Sequence, residues 1–303
     1  MARYIITIQN ASRQGTKLRS LIGKLRRAAT NLAHGLSPRA ARSSPVVSPP
    51  LPSPLVDFVC NICGHENRAV PLHRVQDREG QTCGHCSSNM RLRSVIYTLS
   101  MELFGKPLLL TEFPEDKTIL GLGMSDWEGY SKELEKKFAY TNTFYDSDPR
   151  LDITNVSEEA TGKHRFLISS DVFEHIPVFA LDDAFRNSRR LLQKDGVFIF
   201  TAPYYKTGEN QEHFPRMHDF RIIETKGKRF LYNRTAEGEE EIFDSLIFHG
   251  GGGMTLEMRW FSEPALRRHF AEAGFSSIRI YSDLVPEFGI LWPMDWAVPI
   301  AAR

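Results

Sequence analysis

"TILGLGMSD" (118–126) closes an apolar run with two glycines one residue apart, Gly121 and Gly123. Glycines so placed mark a point where something comes close to the backbone, be it a phosphate, a cofactor or the next helix. The flanks decide how the stretch is read. "KTILGLG" has the apolar density of a buried strand, and in the "SDWEGYSKELEKKF" that follows, Tyr130, Leu134 and Phe138 recur every four residues. Strand, glycine turn and amphipathic helix form the opening unit of a parallel α/β sheet.

The alternation continues down the chain. "HRFLISS" (164–170) predicts a second buried strand. "LDDAFRNSRRLLQKDG" predicts a helix with Leu181, Ala184, Phe185, Leu191 and Leu192 inward and Gly196 just past its end. "VFIFTAP" (197–203) predicts a third strand closed by proline, and "SEPALRRHFAEAGF" a helix from the capping Ser262 to Gly274, with "SIRIYS" as a strand behind it. The expected fold class is α/β: a Rossmann-like, doubly wound, mostly parallel sheet, preceded by a small zinc-ribbon module.

That module rests on the only four cysteines of the chain, Cys60 and Cys63 in "CNIC" and Cys83 and Cys86 in "CGHC". Two such knuckles can wrap four thiolates around one zinc ion, which is then closed to substrate and structural. Gly64 and Gly84 are the expected turn residues, and disulfides or redox dithiols are the alternatives. "NMRLRSVIYTLSMELFG" follows as a helix that docks the ribbon on the larger domain, stopped by Gly105 and Pro107.

The expected organisation is a basic, Pro/Ser-rich tail (1–56), the ribbon with its connecting helix (57–104), and a larger α/β domain (105–303) holding an insertion (204–261). The tail carries nine Lys/Arg and no acid, while the rest has 29 Lys/Arg against 37 Asp/Glu. The folded part is therefore mildly acidic, which argues against a globally basic nucleic-acid binder. A basic amphipathic stretch at 16–36 could lie on an anionic membrane surface or act as a transit peptide. With 41% hydrophobic residues but no apolar run of spanning length, the chain is expected to have a large core, no transmembrane span and a cytoplasmic location.

A dinucleotide site would want a third glycine where Asp126 stands, and an acid there opposes a pyrophosphate. A cofactor with a ribose and a cationic sulfur but no phosphate tolerates it. "LISSDVFEHIP" (167–177), a helix and "DGVFIFTAPY" then resemble the class I S-adenosylmethionine-dependent methyltransferases. The likeness is closest to the branch whose fourth strand ends in an acid-[Val/Leu]-Leu-Glu-His segment. It spans about residues 117–202 and 255–285, and with the ribbon in front the chain is similar to bacterial members carrying an N-terminal zinc module.

The resemblance implies that Gly121 and Gly123 hold the methionine portion of S-adenosyl-L-methionine, that Asp146 (with Asp148 as rival) takes the ribose hydroxyls, that Asp152 lies beside the adenine, and that Asp171 faces the cofactor. Two departures stand out. Ile119 occupies the place of the family's usual acid, and the link from Asp146 to Asp152 is too short for a helix, so the second and third strands must be joined tightly.

The implied reaction moves a methyl group to a small-molecule or carbohydrate-type acceptor. His175, with Glu174, sits where a general base belongs, although the pair could instead cap the next helix, ligate a metal or merely fix the loop. In the insertion, "FRIIETKGKRFLYNRT" reads as a hairpin, "ENQEHFPRMHDF" offers His213 and His218, and His249 precedes four glycines. The two former histidines are acceptor-side bases or lid residues. Two rival functions stand beside this one. An RNA methyltransferase would grip RNA through Arg68, His73, Arg74, Arg78, Arg91 and Arg93, and a non-catalytic zinc-ribbon interaction protein would bind no cofactor.

Overall fold

A computed structural model of the chain describes residues 5–7, 53–225, 227–249 and 255–303. The amphipathic stretch at 16–36, the linker as far as residue 52 and the glycine run 250–253 lie outside the described residues.

The strand β1 (Ile5–Thr7) pairs in parallel with a strand of the later insertion. The cysteine module begins with the antiparallel pair β2 (Leu55–Val59) and β3 (Glu66–Pro71) and leads into α1 (Met90–Phe104). Asn89 caps α1 by accepting a hydrogen bond from the Leu92 amide at 2.8 Å, and Gly105 ends it in the left-handed conformation, as the sequence predicts.

The central sheet comprises β4 (Asp116–Met124), β5 (Phe138–Thr143), β6 (His164–Ser170), β7 (Leu192–Thr201), and, near the C-terminus, Ile278–Ile280 and Ile300–Ala302. Helix α2 (Glu128–Lys137) connects β4 to β5, and α3 (Leu181–Leu191) lies between β6 and β7. Within the 204–261 insertion come the short strands β8 (Tyr204–Tyr205) and β9 (Gln211–Glu212), the antiparallel run β10 (Asp219–Thr225), β11 (Lys228–Arg234) and β12 (Glu240–Phe243), then β13 (Phe248–His249) and β14 (Thr255–Leu256). β15 (Arg259–Ser262) leads into α4 (Glu263–Glu272), capped by Ser262, and the chain closes with β16 (Ile278–Ile280) and β17 (Ile300–Ala302).

The strand order is β16-β17-β7-β6-β4-β5, parallel throughout except for the reversed β17. This is a Rossmann-like α/β sheet whose order reverses between β4 and β6, the point beyond which ligands bind in open α/β sheets. Both faces are covered, so the strands read as continuous apolar runs. Phe166, Ile168, Val197 and Ile199 pack towards α1 and α2, while Leu167, Phe198 and Phe200 pack towards α3 and α4. On the latter face Phe173, Phe185, Phe200 and Phe270 meet edge to face at 4.9–5.5 Å.

Two expectations are corrected, and one strand was not foreseen. No third parallel strand follows β5, since residues 144–150 make only an isolated bridge from Phe144 to Arg150 and β5 is left as the edge. Gly196 does not cap α3, which ends at Leu191 where β7 begins. A Cβ at Gly196 would come within 2.9 Å of the His164 carbonyl, so the glycine lets β7 run close against β6. The reversed strand β17, built from "IAA", has no local signal strong enough to announce it.

The cysteine module is seated on the segment that links β16 to β17. Arg93 of α1, fully buried, donates to the carbonyls of Phe288 (2.9 Å), Gly289 (3.0 Å) and Ser88 (3.0 Å) and to the Thr82 hydroxyl, with its guanidinium over the Phe58 ring. Among the described residues, no helix is long and apolar enough to cross a membrane.

Candidate functional site

The four cysteine sulfurs lie within 4.8 Å of one another, with Cys60–Cys86 at 3.7 Å and Cys63–Cys83 at 3.6 Å. These separations are far longer than a disulfide. They match the roughly 3.8 Å expected between ligands of a tetrahedral thiolate site with bonds of about 2.3 Å. Gly64 carries the first knuckle at φ 75°, but in the second the left-handed residue is Ser87 (φ 61°), not Gly84. His65 and His85 stack on each other in solvent, 5.6 Å apart, outside the cluster.

At the carboxyl edge of the sheet, Gly121 and Gly123 sit inside β4 rather than in the turn after it. A Cβ at Gly121 would overlap the Phe166 ring, and one at Gly123 would overlap the Tyr140 hydroxyl and the Asp126 carboxylate. What comes close to these glycines is therefore the protein's own side chains. The turn belongs to Ser125, at φ 57°, whose amide donates to the Thr143 carbonyl at 2.7 Å.

Asp126 does not face the crevice. It is buried beneath the turn, where the Tyr130 hydroxyl (2.6 Å) and the Tyr140 hydroxyl donate to its carboxylate, and the Asn142 amide brackets its backbone. Burial outweighs these hydrogen bonds and pushes the carboxyl up to about 7.

Asp146 and Asp148 are exposed on the loop beyond β5. Asp152, half-buried, caps its own turn by accepting from the amide and hydroxyl of Thr154. Asp171, at φ 55° just past β6, lies at the centre of a charge lattice that sequence reading missed. Arg78 grips it with two hydrogen bonds of 2.7 and 2.8 Å, Arg91 approaches to 3.1 Å and Thr201 donates at 2.8 Å. Burial alone would raise this carboxyl, but the two guanidinium groups hold it well below the usual carboxylate range. Glu79 completes the lattice by accepting from Arg91 and Arg78. With Arg93 buried as well, three of the six cations considered for RNA point into the protein. The cysteine module thus contributes directly to the edge of the sheet.

A second polar cluster forms where the insertion closes over the loop after β6. Glu174 is completely buried, and neither of its carboxylate oxygens has a hydrogen-bond partner among the described residues. Burial, reinforced by the charge of Asp171, pushes this carboxyl well up. His175 donates from Nδ1 to the Leu256 carbonyl at 2.9 Å, and burial pushes its imidazole down to about 4. His249 lies with its ring 4.6 Å from that of His175. His249 and His213 each donate from Nε2 to Glu257 at 2.9 Å, and the Trp260 indole adds a third donor at 2.7 Å. Burial opposes the ionised form of Glu257, yet these donors hold it down to about 2. Arg259, fully buried, fixes the loop by donating to the Phe173 carbonyl and to Glu212.

His213 is thus brought to the Glu174–His175 loop, whereas His218 is exposed and lines a separate cavity of about 470 Å³ with Phe179, Met217 and Glu237. A cavity of about 620 Å³ lies against Lys228, Arg229 and Phe248, and neither cavity is lined by Gly123, Asp146 or Asp171. Glu257 escaped sequence reading because its partners lie up to 44 residues away. The one local hint was an acid set among the apolar and aromatic residues of "MTLEMRW".

No family model matches the chain, and no curated protein matches it. Solved structures similar to it include an S-adenosylmethionine-dependent methyltransferase from Clostridium acetobutylicum (12% identity, 61% of this chain and 82% of that chain, TM-score 0.36). Another is 1,6-didemethyltoxoflavin-N1-methyltransferase from Burkholderia thailandensis, with 1,6-didemethyltoxoflavin and S-adenosylhomocysteine bound (14%, 70% and 76%, TM-score 0.36). A third is an S-adenosylmethionine-dependent methyltransferase from Mesorhizobium loti (12%, 63% and 92%, TM-score 0.35). With TM-scores below 0.5, these likenesses carry no argument about the site, and the functional reading rests on the chain's own residues.

Proposed function

We propose that the chain is an S-adenosylmethionine-dependent methyltransferase acting on a small-molecule or carbohydrate-type acceptor, with a structural zinc ion on Cys60, Cys63, Cys83 and Cys86. The observation that carries this reading is the pairing of opposite charges at the topological switch point. Asp171 and Glu79 interleave there with Arg78 and Arg91, beside the Gly121–Gly123 end of β4.

The donor set suits the cofactor's chemistry. Its amino-acid end carries both a carboxylate and an ammonium group, which a lattice of both signs can take by exchanging partners. Asp146, exposed beyond β5, is free of the constraints that bind Asp126 and would accept from the ribose hydroxyls. The bound cofactor supplies a methyl carbon already activated by a positive sulfur.

The protein then has to align, dehydrate and deprotonate. His213 suits the proton step best. Its Nε2–H is held by Glu257, which leaves a lone pair on Nδ1 of a side chain that is 28% exposed. His175 has its Nδ1 proton committed to the Leu256 carbonyl, and its buried ring resists charging. Arg259 fixes the Phe173 carbonyl and so keeps the Asp171–His175 loop in place.

Incubating the purified protein with methyl-tritiated cofactor and fractionated cell extract tests the acceptor class. Label in small-molecule or glycan fractions supports the reading. Label confined to RNA would overturn the acceptor, and no label in any fraction would overturn methyl transfer.

A further inference from the structure

We infer that Glu174, His175 and His249 form a second metal site, which takes a divalent transition-metal ion and is separate from the cysteine cluster. The three residues offer one ligand atom each, all within 4.8 Å of one another. Geometry and chemistry agree at each donor. Glu174 is fully buried with both carboxylate oxygens unpartnered, an arrangement whose cost a cation would offset. His175 Nε2 stands 3.8 Å from Glu174 Oε1, too far for a hydrogen bond. Two donors each about 2.1 Å from a shared ion lie roughly 3 to 4 Å apart.

The outer shell is built as metal sites require. The carbonyl of Leu256 can only accept, so the His175 proton is on Nδ1 and the Nε2 lone pair faces Glu174. Glu257 accepts the Nε2 proton of His249, which leaves the lone pair on Nδ1. Each imidazole is thereby fixed in one tautomer with one nitrogen open. Glu174 and His175 come from the loop after β6, and His249 from the insertion, so the ion would tie the two together. Three protein donors leave a coordination position vacant for water or an acceptor oxygen, and His249, at 36% exposure, marks the side from which it is reached. Two nitrogens and one carboxylate suit zinc, cobalt or iron rather than magnesium or calcium. The inference does not depend on methyl transfer, because it concerns these side chains alone.

The test is metal content and cobalt spectroscopy on the full chain, stripped with chelator and reloaded with Co²⁺. Two ions per chain are expected in the wild type, falling to one in His249→Ala and in Glu174→Gln. The intense thiolate-to-cobalt bands of the cysteine site should persist in both variants, showing that the fold is intact, while the weaker visible bands of the nitrogen–oxygen site disappear. One ion per chain in the wild type, with a spectrum of thiolate bands alone, would overturn the inference. So would two ions retained in both variants.

Discussion

Asp126 shows how far one side chain's setting can depart from what its place in a motif implies. In "GLGMSD" it looks like an anion at the mouth of a binding turn, yet it lies beneath that turn with two tyrosine hydroxyls on its carboxylate. Its folded-state value of about 7 lies above the ordinary 3.8, so the acid contributes stability that is fully present below about pH 3.8 and is lost as pH rises through 7. The full swing is on the order of 4 kcal/mol. Asp126→Asn carries no charge to desolvate. Its stability relative to the wild type should therefore climb between pH 4 and pH 7.5 in urea titrations, and parallel curves would contradict the assignment. Arg93 is the opposite case, a buried cation whose hydrogen bonds run to carbonyls and a hydroxyl where the cysteine module meets the segment between β16 and β17. Arg93→Met strands those acceptors and should cost about 3 kcal/mol or more, read as a lowered urea midpoint.

Among the elements, the cysteine module and the insertion meet the sheet at its carboxyl edge from different directions. Removing zinc should therefore do more than unfold a small appendage. With the knuckles released, Arg78 and Arg91 lose the frame that holds them on Asp171, so chelation should increase proteolytic cleavage near residues 76–90 and expose the edge of the sheet. Unchanged digestion after verified zinc loss would contradict this. The elements show where sequence is a good guide. β6, α1, α4 and the β10–β11 hairpin follow from apolar period, caps and the turn glycine Gly227, all of them local. The reversed β17, the missing third strand and the tightly joined α3 and β7 depend on what lies across the sheet, which no window of neighbouring residues encodes. The glycines of β4 were legible as points of close approach, but their partners, Phe166 and Tyr140, are supplied by neighbouring strands. The same holds for the sites. The cysteine knuckles announce themselves by spacing, whereas Arg78 meets Asp171 across 93 residues and His213 meets Glu257 across 44.

Taken whole, the molecule places two charged assemblies at one edge of an α/β sheet: the Asp171 lattice, to which the cysteine module lends Arg78 and α1 lends Arg91, and the Glu257–histidine network of the insertion. In the proposed function this edge receives an adenosyl cofactor, with Asp146 on the ribose and the Asp171 lattice on the amino-acid end. Asp146 is exposed, so replacing it should leave the fold intact while removing one charge-assisted hydrogen bond, worth about 1.5 kcal/mol or more. The most direct measurement is calorimetric titration of the zinc-loaded protein with S-adenosylhomocysteine. Saturable heat is expected at one site per chain, with affinity weakened about tenfold or more in Asp146→Asn. An absence of heat at millimolar ligand, or equal affinity in that variant, would contradict it.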